Sequence, residues 1–180
     1  MKNTTIELKP AEPADFDVFY KWKLDEDMPL FTCRETYPPS RFSYESYFRD
    51  ELRNKNRRLY KVVRIKKPVP LGKIAVFNSN PRNQSCEIGY YFDNKYRGKG
   101  YGFKAISLLL NYLFDQMNYN KVYAQTGSYN KASVALLEKL GFTREGVLRE
   151  HHFINGKAYD DYIFGLFREE WDNIRNGEYV

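Results

Sequence analysis

Alternation and periodicity divide the chain into short strands and amphipathic helices. Residues 6–9, Ile-Glu-Leu-Lys, alternate apolar and polar like an edge strand; Pro13 then suits the first position of a helix, with Asp15 in its positive first turn. Phe16, Phe19, Tyr20 and Leu24 continue that helix, and a loop holding Pro29, Pro38 and Pro39 follows it. Ser43 reads as the cap of a second helix with Tyr44, Tyr47, Phe48 and Leu52 on one side. Three strand candidates come next, at 59–65, 71–77 and 86–92, and the short breaks between them favour an antiparallel meander. Beyond Phe103 the positions Ile106, Leu109, Leu110, Leu113, Phe114 and Met117 keep helical spacing. Residues 122–126 read as a buried strand, and 130–140 as a helix capped by Asn130 and ended by Gly141. Strands at 144–153 and 159–167 flank Asn155-Gly156, a type I′ hairpin signal, and a short helix at 168–175 closes the pattern.

No repeat, low-complexity tract or linker interrupts this order, so residues 1–180 read as a single mixed α/β (α+β) domain, and 42% hydrophobic residues are enough for a core. The longest apolar run, 106–114, is broken by Asn111 and too short to span a bilayer, so a cytoplasmic protein with no membrane partner is expected. Cys33 and Cys86 stand alone, without neighbours at metal-ligand spacing; neither a disulfide framework nor a metal site is expected. A net charge of +6 suits either nucleic acid or a phosphorylated small molecule, and charge alone does not choose between them.

The stretch that chooses is the strand ending at Phe92, the loop Asn94-Lys-Tyr-Arg-Gly-Lys-Gly-Tyr-Gly102 and the amphipathic helix behind it. Glycines at 98, 100 and 102 let backbone N–H groups converge without Cβ clashes, and the helix adds its positive end, which suits a pyrophosphate. A mononucleotide P-loop would need Ser or Thr after Lys99, where Gly100 stands; a dinucleotide fold would need its glycines early in a parallel βαβ unit.

Arg97-Gly-Lys-Gly-Tyr-Gly102 resembles the R-x-x-G-x-G pattern of the GNAT superfamily of N-acetyltransferases. Glu87-Ile-Gly-Tyr90 is similar to that family's fourth strand, and Asn130-Lys-Ala-Ser-Val-Ala-Leu-Leu-Glu-Lys-Leu-Gly-Phe142 to its second cofactor segment. The Asn130-x-x-Ser133 spacing and the ending at 156–171 resemble the ribosomal-protein-alanine and spermidine acetylating branches. The resemblance covers roughly residues 71–171. It implies a central, mostly antiparallel twisted sheet of about seven strands whose fourth and fifth strands splay apart, flanked by about four helices. Acetyl-CoA would enter the gap as co-substrate, its pantetheine arm pairing with the backbone of Tyr90, Tyr91 and Phe92. Arg97, Gly98, Lys99, Gly100, Tyr101 and Gly102 would cradle the pyrophosphate, with Asn130 and Ser133 as further contacts.

Acetyl transfer to an amine requires loss of a proton from an alkylammonium of pKa about 10.4, stabilisation of an oxyanion, and a proton for the leaving thiolate. Glu87 is the first candidate for the base, the alternative being a solvated strand glutamate. A backbone N–H near Tyr90 or Tyr91 would meet the oxyanion. The resemblance implies a general acid that many members place as a tyrosine seven residues after the Asn130 equivalent; Leu137 stands there, so Ser133 is the alternative donor, and Asn130 and Ser133 also read as ordinary helix capping. His151 and His152 point to opposite faces if the strand is regular, so at most one would reach the site, and nothing favours covalent catalysis by Cys86.

By the same resemblance the first two helices and their loop form the acceptor wall, here with Asp25-Glu26-Asp27, Glu35, Tyr37, Phe42, Tyr44 and Tyr47. Acidic groups beside aromatics suit a cationic amine acceptor, such as a polyamine, an aminoglycoside, another small amine or a peptide N-terminus, although such charges also serve as solvated surface. Two other classes remain open: a coenzyme A-binding protein of the same fold without catalysis, and an RNA- or ribosome-associated module using Lys55, Arg57, Arg58, Arg64, Lys66 and Lys67. Oligomeric state is open, a homodimer being the commonest soluble assembly.

Overall fold

The computed structural model describes residues 1–2, 5–25 and 38–177; the candidate positions Glu26, Asp27, Pro29, Cys33, Glu35 and Tyr37 lie outside them. Seven strands form one sheet: β1 Ile6–Pro10, β2 Arg58–Arg64, β3 Lys67–Asn80, β4 Ser85–Phe92, β5 Lys121–Gly127, β6 Thr143–Ile154 and β7 Lys157–Phe167. Their spatial order is β1-β2-β3-β4-β5-β7-β6, antiparallel throughout except between β4 and β5. Five α-helices occur among the described residues, α1 Phe16–Lys23, α2 Arg41–Arg53, α3 Tyr101–Asn111, α4 Lys131–Lys139 and α5 Arg168–Asn176, one more than the resemblance implied.

Strand alternation feeds two cores, one on each face of the sheet. Ile74, Val76, Ile88, Phe92, Val122, Ala124, Phe164 and Leu166 pack with Ile106, Leu109 and Leu110 of α3, Leu137 of α4 and Trp171 of α5. The opposite face packs Ala75 and Tyr91 against Phe19 and Trp22 of α1 and Tyr44 and Phe48 of α2. Fully burying side chains of this size stabilises each by about 1.5–3 kcal/mol.

Local signals explain most boundaries. α2 is capped by Ser40, whose hydroxyl accepts from the Ser43 N–H at 3.1 Å, so the cap falls three residues before the expected Ser43. Asn111, which interrupts the apolar run, ends α3 at a π-turn, Tyr112–Gln116, and accepts the Trp171 indole N–H at 2.8 Å, tying α5 down. Asn155 and Gly156 have φ of 51° and 77°, the backbone of a type I′ turn. Among the described residues no helix is long and apolar enough to cross a membrane.

Candidate active site

The sheet opens where β4 and β5 part. They pair at Ser85 with Lys121, Cys86 with Val122 and Glu87 with Tyr123, and at no later position. Residues 88–92 remain paired to β3 on their other side. The β5-facing backbone beyond Glu87 is therefore an open edge inside the sheet, the kind of edge that an extended amide chain adds to as a strand.

At the far end of that edge lies the glycine loop. Gly98 and Gly100 have φ of 69° and 75°, left-handed values that only glycine adopts freely, and nothing lies within 4 Å of a Cβ built at either. The first amides of α3, which begins directly after this loop, have no acceptor within the helix and no side-chain cap at Gly100. The basic side chains are turned elsewhere: Arg97 Nε donates to the Phe92 carbonyl at 2.8 Å with its guanidinium 5.2 Å from the Tyr91 ring centre, and Lys99 donates to the Lys95 carbonyl at 2.7 Å. Tyr101, in the first turn of α3, stacks edge-on against Tyr96, and its hydroxyl accepts from Arg64 of β2, whose guanidinium lies 5.3 Å from the Tyr101 ring centre. Sequence reasoning placed Arg64 in a basic stretch and missed its position beside the loop, because a contact across 37 residues leaves no local signal. Gly102 packs against Leu136 of α4, where an added Cβ would lie 3.1 Å from its Cδ2.

Side chains of β4 separate the two chemical halves. Cys86, Ile88, Tyr90 and Phe92 face α3 and α4, whereas Glu87, Gly89 and Tyr91 face the α1/α2 side. On the first face Asn130 Oδ1 accepts the Ser133 N–H at 3.1 Å, capping α4, and the Tyr90 and Ser133 hydroxyls are 2.8 Å apart. Burial pushes the Tyr90 phenol up to about 12, against the Ser133 hydrogen bond that lowers it. Leu137 is wholly buried in the core, so no α4 phenol stands at that position.

On the second face Glu87 is 9% exposed and accepts from Asn78 Nδ2 at 2.7 Å. Tyr123 lies opposite it across the last β4–β5 pair; burial and then the Glu87 charge push its phenol up, while the neighbouring Asn78 amide opposes them. Tyr91 donates to Asp25 at 2.7 Å, its phenol pushed up by burial and by that carboxylate. Asp161, on β7 in register with Gly127, is 1% exposed and holds His152 Nε2 at 3.4 Å. The two histidine rings lie 5.2 Å apart, because a register shift between Leu148 and His152, with Glu150 at φ 51°, interrupts the alternation assumed for them. Of the other wall candidates Tyr44 is buried, Tyr47 half exposed and Phe42 fully out in solvent. Cys86 is buried with its thiol pushed up to about 12, an inert core group. Among the described residues no cluster of three or more His, Cys, Asp or Glu is placed to hold a metal.

A seven-stranded sheet parted between a parallel fourth and fifth strand, with a glycine loop feeding a helix at the opening, is the arrangement that the resemblance to the N-acetyltransferases implied. The family model described as an acetyltransferase (GNAT) domain matches residues 5–143, and the chain belongs to that family. It is 31% identical over 169 residues, 93% of this chain and 92% of the relative, to the SPbeta prophage-derived uncharacterized N-acetyltransferase YokL of Bacillus subtilis (strain 168). It is 30% identical to the [ribosomal protein uS5]-alanine N-acetyltransferase of Escherichia coli (strain K12), over 48% of this chain and 45% of that one. Its fold is similar to that of spermidine N-acetyltransferase from Vibrio cholerae in complex with CoA and spermine, with a TM-score of 0.87, 24% identity, and coverage of 95% of this chain and 100% of that one.

Proposed function

We propose that the protein transfers an acetyl group from acetyl-CoA directly to a primary amine on a cationic acceptor, with Glu87 as the base. The observation that carries this reading is the opening of the sheet at Glu87, with the glycine loop at its far end. The loop amides at Gly98, Lys99, Gly100 and Tyr101 bind the pyrophosphate, Tyr90 to Phe92 offer backbone to the pantetheine arm, and Asn130 and Ser133 border it. The thioester supplies the acyl group. Glu87 takes the ammonium proton from the α1/α2 side, a backbone N–H near Tyr90 or Tyr91 meets the oxyanion, and the Ser133 hydroxyl gives the leaving thiolate its proton from the opposite face.

Asp25, Glu87 and Asp161 share the face from which the amine enters, which supports a cationic acceptor; polyamines and protein N-termini fit, as the names of the relatives suggest. The RNA-binding alternative loses support, since Arg57 pairs with Glu51, Arg58 with the Tyr119 phenol and Arg64 with Tyr101. Leu137 favours one second reading, a coenzyme A-binding protein without turnover. Calorimetric titration with acetyl-CoA, followed by thiol release against polyamines, aminoglycosides and N-terminal peptides, tests both. Saturable binding with thiol release for one amine supports the enzyme, binding without release supports the second reading, and no binding removes both.

A further inference from the structure

The Glu87 carboxylate is held by a residue that a regular strand would turn away from it. Along β3, Lys73, Ala75 and Phe77 face the α1/α2 side and Ile74 and Val76 the α3 side, so position 78 would continue on the α3 side. The register breaks there. Phe77 pairs with Glu87 and Asn80 with Ser85, leaving two β3 residues, Asn78 and Ser79, opposite the single residue Cys86. Asn78 takes φ of 49°, a left-handed value that asparagine tolerates better than most residues. The consequence is a reversed pair: the Asn78 amide reaches Glu87 at 2.7 Å, while Ser79 turns to accept the Tyr119 hydroxyl at 3.0 Å on the α3 face.

We propose that this bulge makes Asn78 a positioning residue for the reaction, orienting the Glu87 carboxylate and keeping it ionised at the point where β4 and β5 part. The inference rests on Glu87 being the base. Asn78 from β3 donates to that carboxylate and Tyr123 from β5 stands opposite it, while Arg57, 5.0 Å from the Phe77 ring centre, is paired with Glu51 of α2. A donor to the charged form lowers a carboxylate's pKa, so loss of Asn78 raises it. Asn78 acts through Glu87 and needs no contact with substrate.

Two substitutions separate the amide from the backbone. Asn78→Gly keeps the left-handed conformation accessible and removes the donor; Asn78→Asp also tolerates that conformation but sets a like charge against Glu87. Carboxyl-carbon NMR titration of glutamate-labelled protein, with Glu87 assigned by its loss in Glu87→Gln, reads the coupling without any acceptor. Asn78→Gly is expected to raise the Glu87 midpoint by about one pH unit, the order of a single hydrogen bond, and Asn78→Asp by more. With whichever amine of the panel is turned over, the acidic limb of kcat/KM moves up by the same amount, kcat at neutral pH falls roughly tenfold, and KM for acetyl-CoA stays within about twofold. An unmoved midpoint in Asn78→Gly overturns the proposal, as does a moved midpoint with an unmoved pH profile. Full thiol release by Glu87→Gln is a different failure, which removes the base itself.

Discussion

The Tyr90 and Ser133 hydroxyls stand 2.8 Å apart, joining β4 to the first turn of α4 on the face of the sheet opposite Glu87. The arrangement brings a phenol from β4 to Ser133, while α4 itself carries the buried Leu137 seven residues after Asn130. Ser133→Ala is expected to lower kcat about a hundredfold, the low end for loss of a positioned acid, with KM for acetyl-CoA little changed. Tyr90→Phe keeps the ring in the core and removes one hydrogen bond to Ser133, and is expected to cost about tenfold. Steady-state thiol release measures both; a fully active Ser133→Ala removes that residue as the proton donor.

The loop prediction follows from conformation and space together. Gly100 sits at φ of 75° with an open surface where a Cβ would project. Gly100→Val costs about 1–2 kcal/mol in backbone strain and puts a branched side chain at the proposed pyrophosphate site. Acetyl-CoA affinity in calorimetry should fall at least about tenfold, a loss of about 1.4 kcal/mol or more in binding free energy from the blocked approach, with circular dichroism unchanged. Native affinity in Gly100→Val contradicts the loop assignment.

What was legible in the chain was whatever depends on period and spacing. The seven strands, the glycine loop, the Asn130 cap and the Asn155-Gly156 turn all rest on local patterns that the backbone obeys. What escaped depends on broken alternation or long-range contact. Asn78 and Ser79 exchange faces at a bulge, His151 and His152 meet across another, and Tyr90, read for its backbone, brings its hydroxyl to Ser133. A period-2 rule cannot foresee a residue inserted into the register. Asn111 looked like an interruption because its partner, Trp171, is 60 residues away.

Arg64 offers a test of long-range support for the loop. Its guanidinium donates to the Tyr101 hydroxyl and lies over the Tyr96 and Tyr101 rings, linking β2 to the first turn of α3. Arg64→Leu keeps the apolar stem and removes a charge-assisted hydrogen bond of about 1.5 kcal/mol along with a nearby cation. Acetyl-CoA affinity should weaken roughly tenfold at low salt and by less at high salt, where the lost charge is screened. An unchanged affinity and salt slope would show that Arg64 serves the fold alone.

Lys73 carries the clearest pH signature. Its ammonium lies 5.4 Å from the ring centre of Phe19 on α1, and burial lowers its pKa from 10.5 to about 8, against the opposing pull of Glu51. Because the folded value lies below the unfolded one, the unfolded chain binds more protons between pH 8 and 10.5, so stability rises with pH across that window. Below pH 8 the full penalty applies, an upper bound of about 3 kcal/mol at 1.36 kcal/mol per pH unit. Lys73→Met retains the unbranched stem and removes the ammonium, and is expected to be more stable than the native chain at pH 7 by about 2 kcal/mol. The gap should narrow as pH rises from 8 to 10.5 and close above it, where the native lysine is neutral in both states. Parallel denaturant titrations at pH 7, 9 and 10.5 measure the difference, and a gap that does not shrink with pH would mean that Lys73 is not the titrating group.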